Sequence, residues 1–312
     1  MAVFLSTLNQ IAVLFTLIAV GYVITKLGVL PEGASKVLAK LENTVFIPAL
    51  VLGTFIENFT VERLSSAWKL VVVSTVIALL MVPVSVLVSK VITRDKYIQN
   101  IYTYGLAFSN FGFMGNAVVA ALFPDIFLEY LLFTLPLWVE LYIWGIPVLL
   151  MGDAEKQRTI KDRIKPFINP MFISLLIGMV IGLLKIPMPS FFLSVLDTTS
   201  ACMSPVAMLL TGITVSTISF KKTFTDVKTY IISVVRLLAI PLAFIAITKI
   251  FTVFEDRVLL TCALCTLSMP LGLNTIVIPS AYGKDTSVGA GMTVISHLLA
   301  LATIPLVFAL AM

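Results

Sequence analysis

Charge is scarce in this chain. Asp, Glu, Lys and Arg make up 12% of its 312 residues, 59% are hydrophobic, and the mean hydropathy is +1.08. Soluble domains carry about 25% charged residues, so an ordinary globule is excluded and the composition is that of an integral membrane protein. Histidine occurs once, at His297, which excludes a multi-histidine metal centre, and no metal site is expected. The three cysteines, Cys202, Cys262 and Cys265, fall inside apolar runs, where a CxxC pair reads as small helix-packing residues rather than a redox centre. The apolar runs hold no paired aspartates and no nucleophile elbow, so no enzyme is expected. Ten-residue segments of alternating polarity are missing too, which excludes a β-barrel.

What the chain has is long apolar stretches. Ten runs, near 8–26, 38–57, 67–90, 98–123, 128–151, 167–184, 191–216, 228–250, 257–282 and 287–311, read as spanning helices, since about 20 apolar residues cross the ~30 Å hydrocarbon layer. The opening MAVFLSTLNQ has no basic residue and no cleavage site follows, so the first run reads as a spanning helix rather than a removed signal peptide. One charged connection, 152–166, divides the chain into a first five-helix unit at 1–151 and a second at 167–312. The net charge of +5 does not point to nucleic acid, because the cations lie in short segments between the runs. Assigning those segments to alternate faces gives fifteen Lys and Arg on one and five on the other: Arg63, Lys69, Lys185, Lys249 and Arg257. The basic face is the cytoplasmic one by the positive-inside rule, which places both termini outside a cell membrane and the linker inside.

The two units share punctuation. Pro83 and Pro241, Asn116 and Asn274, and Pro147 and Pro305 are each 158 residues apart, and Pro48 and Pro205 are 157 apart. One register serving four successive helix pairs indicates an internal repeat, inverted because each unit has an odd number of spans. Inverted repeats of broken helices are the signature of secondary transporters.

The fourth run carries SNFGFMGNAV, with Asn110, Gly112, Gly115 and Asn116 near its middle, and the ninth carries SMPLGLNTIVIP, with Pro270, Gly272, Asn274 and Thr275 at similar depth. Backbone groups freed by such breaks must face protein or a wet cavity. The second half-helix after each break offers free N–H groups and a positive dipole end, to which Asn116 and Asn274 add amide donors, and together these suit an anion. The carbonyl ends, with Ser109, Asn110, Ser268 and Thr275, suit Na⁺ instead or as well.

These stretches, with LIAVGYVITKLGVLPEGASKVLAKLENTVFIPALVLGTFI at the start and MPLGLNTIVIPSAYGKD in the ninth run, resemble the auxin efflux carrier (PIN-like) family, in its bacterial form, over essentially the whole chain. The resemblance implies an all-α protein of ten helices as two inverted five-helix repeats, with broken helices four and nine crossed at the substrate site. That is the bile acid:sodium symporter-like fold. It implies elevator-type transport of small organic anions such as carboxylates, a scaffold and homodimer through helices one, two, six and seven, and a crossover at Asn116, Pro270 and Asn274. No cofactor is implied beyond a coupling Na⁺ or H⁺. Where the fourth-helix crossover would carry a proline, this chain has Asn116 and Ala117, and the long cytoplasmic loop of the plant exporters is reduced to 152–166. A sodium-coupled symporter of the bile acid type, or an anion channel or sensor on the same fold, are the alternative readings.

Three ionisable residues lie deep inside runs. Glu140 and His297 fall at comparable depth in the fifth and tenth, as a coupling proton site and a tuner of the anion site, or as neutral groups bonded between helices. Arg236, five residues before Pro241, either draws the anion or an inner acid or snorkels to the cytoplasm. Glu42 reads as an interfacial residue near the start of the second run. Gly178 and Gly182 form a GxxxG that reads as helix packing within the chain.

Overall fold

A computed structural model describes residues 2–152, 159, 161, 164–216, 226–250 and 256–311. Most of the linker expected at 152–166, with Lys156, Arg158 and Arg163, and the basic pair Lys221 and Lys222 lie outside the described residues. Helices account for the architecture, and no strand forms among the described residues. In chain order they are α1 (Ala2–Lys26), α2 (Ala34–Asn58), α3 (Val61–Ile92), α4a (Lys96–Ala107), α4b (Phe111–Leu122), α5 (Pro124–Met151), α6 (Pro170–Leu183), α7 (Ser190–Ser216), α8 (Val227–Thr248), α9a (Arg257–Leu267), α9b (Asn274–Ala281) and α10 (Ser287–Ala311). Their ends agree with the predicted runs to within six residues. Seven are long and apolar enough to cross a membrane, and α4b, α6 and α9a are shorter apolar helices.

Short polar residues set where helices begin. Asp95, Asn169, Asp226 and Asp256 accept from backbone N–H groups at the starts of α4a, α6, α8 and α9a, over 2.9 to 3.1 Å at the shortest, and such caps satisfy the donors a helix start leaves over. The ends of the bundle are tied by charge. At one, Lys284 Nζ donates to the last carbonyls of α5, Leu150 at 3.2 Å and Met151 at 2.7 Å. At the other, Arg63 and Glu129 approach to 3.5 Å.

Two seams of small residues hold four of the helices. Along the second half of α7, Met203–Ser216, Gly212 lies against the backbone of α1: a β-carbon there would stand 2.8 Å from the Tyr22 nitrogen and closer still to the Ile18 carbonyl oxygen. In α6, Gly178 meets Phe55 of α2, and Gly182 lies against the Phe55 and Phe59 carbonyls. The GxxxG thus packs within the chain, as expected from the sequence.

Glu42 departs from expectation. It is fully buried on a π-turn of α2, Glu42–Phe46, and neither carboxyl oxygen has a hydrogen-bond partner among the described residues. Its helix meets α6 and α7 closely enough to cover it, so distance from the start of a run misjudged its exposure. An unpartnered buried polar group costs about 1–3 kcal/mol, and Glu42→Met keeps the volume while removing that cost. The thermal midpoint of Glu42→Met should rise by several degrees; a fall would show that the carboxyl is bound in the assembled protein.

Candidate functional site

The two broken helices meet at their breaks. Pro270 cannot donate a backbone hydrogen bond and disfavours helical geometry at Met269, and α9 accordingly stops at Leu267 and resumes at Asn274. In α4 the non-helical residues are only Phe108 to Asn110. A π-turn, Phe111–Gly115, then closes with the Gly115 N–H on the Asn110 carbonyl at 2.9 Å. The break predicted over Asn110 to Asn116 is therefore narrower and earlier, because the glycines are absorbed in the π-turn rather than unwound.

Backbone joins the two breaks. The Asn110 N–H donates to the Pro270 carbonyl at 2.7 Å, and Ser109 and Leu271 form an antiparallel bridge. The Ser109 hydroxyl donates to the Thr266 carbonyl at 2.7 Å. From α10, Ser296 accepts the Leu271 N–H at 3.1 Å. His297 lies beside it with Nδ1 2.7 Å from the Thr293 carbonyl and Nε2 3.3 Å from the Asn110 amide nitrogen. A carbonyl only accepts and an amide nitrogen only donates, so both contacts are satisfied by a neutral imidazole carrying its proton on Nδ1.

Arg236 does something its sequence position did not suggest. It is 2% exposed, on a π-turn of α8, Val235–Ala239, and its guanidinium donates to backbone carbonyls alone: Leu106 at the end of α4a (2.8 Å), Thr266 at the end of α9a (2.8 Å) and Met269 in the α9 break (3.4 Å). It neither snorkels nor pairs with an acid among the described residues.

The other expected residues divide by what their side chains already hold. The Asn274 amide donates to the Tyr104 hydroxyl at 2.9 Å. The Thr275 hydroxyl donates to the Gly272 carbonyl at 3.0 Å and is fully buried. Asn116, 4% exposed, makes no side-chain hydrogen bond among the described residues, so its amide is the one free to meet a ligand. Gly115 is not open to a ligand: the Tyr130 hydroxyl lies over it while donating to the Phe111 carbonyl at 2.8 Å.

Glu140 and His297 are not brought together. Trp138 and Tyr142 turn toward the crossing, Trp138 packing on Gly112 and on Phe111 with ring centroids 4.9 Å apart. Glu140, two residues from each, is rotated by about 200° and lines a groove of about 670 Å³ between α3 and α5 with Val71, Leu79 and Val139. The aromatic line continues from Trp138 to Tyr142 (5.7 Å) and on to Phe167 (5.5 Å), beside a cavity of about 470 Å³ walled by Ile146, Pro147, Ile278 and Tyr282. Sequence reading missed Tyr104, Tyr130, Trp138 and Ser296. Their only sequence signal is that each is a polar or aromatic side chain inside an apolar run.

Among the described residues seven apolar helices are able to span a bilayer, which with the family match that follows makes the chain a multi-pass membrane transporter. Residues 6–308 match the family described as membrane transport protein. This is the auxin efflux carrier, PIN-like family, and the chain belongs to it. No curated protein gives a significant match to the chain.

Proposed function

We propose that the chain is a secondary carrier of small organic anions, with carboxylates bound where α4 and α9 cross. The observation that carries this is the latched pair of breaks with the free, buried amide of Asn116 beside it. The starts of α4b and α9b supply positive dipole ends, and the amides of Asn116 and Asn274 supply directed donors, which together favour negative charge without committing a counter-charge. In this reading the ten runs form two inverted five-helix repeats, 1–151 and 167–312, with both termini outside the cell membrane. The seams of α1 with α7 and of α2 with α6 support a fixed scaffold of these four helices, which also forms the dimer, against which the remainder slides as an elevator.

Purified protein in proteoliposomes should take up at least one labelled mono- or dicarboxylate saturably, and unlabelled substrate on the far side should speed it. Asn116→Ala and Asn274→Ala should each reduce uptake about tenfold or more, since a hydrogen bond to a charged group contributes ~1.5–3 kcal/mol. Flux that never saturates would indicate a channel. No flux of any carboxylate by folded protein would reject the proposal.

A further inference from the structure

We propose that Arg236 is a built-in cation: its guanidinium takes the position at the crossing that a coupling metal ion would take, so the site is charged and closed without sodium. The inference rests on the carrier reading for its role in transport, and on the hydrogen bonds of Arg236 alone for its role in structure.

The charges balance. A helix end carries roughly half a negative charge at its carbonyls, and α4a and α9a bring two such ends to one place, facing apolar surroundings. About one negative charge is gathered there, and one guanidinium cancels it. No acidic side chain pairs with Arg236 among the described residues, so the carbonyl ends are its counter-charge. A cluster of backbone carbonyls with an adjacent hydroxyl is also what Na⁺ selects. Leu106, Thr266 and Met269 offer the carbonyls and Ser109 the hydroxyl, and the guanidinium already uses all three carbonyls.

Geometry explains why the cation is an arginine. The guanidinium is a planar fork of five donors with no acceptor, and it spans carbonyls from two helices 130 and 30 residues away in the chain. A lysine ammonium is a point charge and holds one such end well. The π-turn on which Arg236 sits adds a residue to one turn of α8, next to Pro241, which cannot donate into that turn. Held to both half-helices, Arg236 is a positioning residue: it fixes how the two breaks cross, and through them the direction in which the Asn116 and Asn274 amides point.

The test removes the fixed cation and offers a loose one. Purified Arg236→Ala should melt several degrees below wild type. Millimolar methylguanidinium should restore much of that loss, while methylurea, of the same shape without the charge, should not. Sodium should also raise the melting point of Arg236→Ala while leaving wild type unmoved. In proteoliposomes, wild-type carboxylate uptake should be equal in sodium and in choline, and Arg236→Ala uptake should fall about tenfold or more and recover with methylguanidinium. Arg236→Gln, which keeps donors and loses charge, serves where the alanine variant does not fold, and it should show the same lowered melting point and the same gain of sodium response. Equal responses to methylguanidinium and methylurea, a glutamine variant as stable as wild type, or wild-type uptake that requires sodium would each overturn the inference. If wild type carries no carboxylate, the carrier reading fails, and the melting experiments still decide the role of Arg236.

Discussion

Gly212→Ala should lower the thermal midpoint sharply and leave much of the expressed protein unfolded. The added β-carbon would stand 2.8 Å from the Tyr22 nitrogen and 2.9 Å from the Ile18 carbonyl carbon, with the Ile18 oxygen nearer still. All three atoms are backbone of α1, so no side chain can swing aside, and relief requires α1 and α7 to separate. Overpacking costs about 1–3 kcal/mol even where side chains yield, and here the loss should lie at or above the top of that range. Gly53→Ala is the internal control. Its β-carbon would meet only the Leu196 β-carbon, at an ordinary 3.7 Å, and removing a helical glycine gains up to ~1 kcal/mol. Melting and monodispersity of the two variants in detergent check the pair. Equal shifts in both would mean that the seam of α1 with α7 does not determine stability.

The second large effect is a coupling. Gly115→Ala pushes a methyl into the Tyr130 hydroxyl, and Tyr130→Phe takes from the Phe111 carbonyl its side-chain donor, leaving it the Asn116 N–H alone. The first should cost about 1–3 kcal/mol by crowding, and the second about 0.5–1.5 kcal/mol by the loss of one of the two hydrogen bonds to that carbonyl. The double variant should cost clearly less than the sum, because the phenylalanine lacks the oxygen that the alanine strikes. Contacting residues give coupling of ~0.5–3 kcal/mol in such cycles. Additive losses would show that Tyr130 does not sit on Gly115 when the protein is in a bilayer or detergent.

Much of the helical layout was legible, since long apolar runs separated by charge leave few choices for a spanning chain. The breaks in α4 and α9 were legible from Gly, Asn and Pro inside those runs. Their extent in α4 was not, because a glycine permits an irregular backbone without requiring one, and the π-turn closes over Gly112 and Gly115. The role of Arg236 left no mark in the sequence: it binds backbone carbonyls, which every residue carries. Glu42 was misplaced for a related reason, as its burial is decided by α6 and α7, more than a hundred residues away. For Glu140 and His297 depth and the 158-residue register, which maps Glu140 to Leu298 beside His297, were the guides, and neither says which face of a helix a side chain occupies.

The span of the Arg236 hydrogen bonds bears on how the protein is made. When the ribosome has delivered Leu106, the donor for its carbonyl is 130 residues from being synthesised, a wait on the order of 6–26 s at usual translation rates of about 5–20 residues per second. Through that interval the nascent first half sits in the bilayer with the end of α4a unanswered. The crossing is therefore among the last parts to close, and a truncated chain that stops before α8 is a natural substrate for membrane quality control.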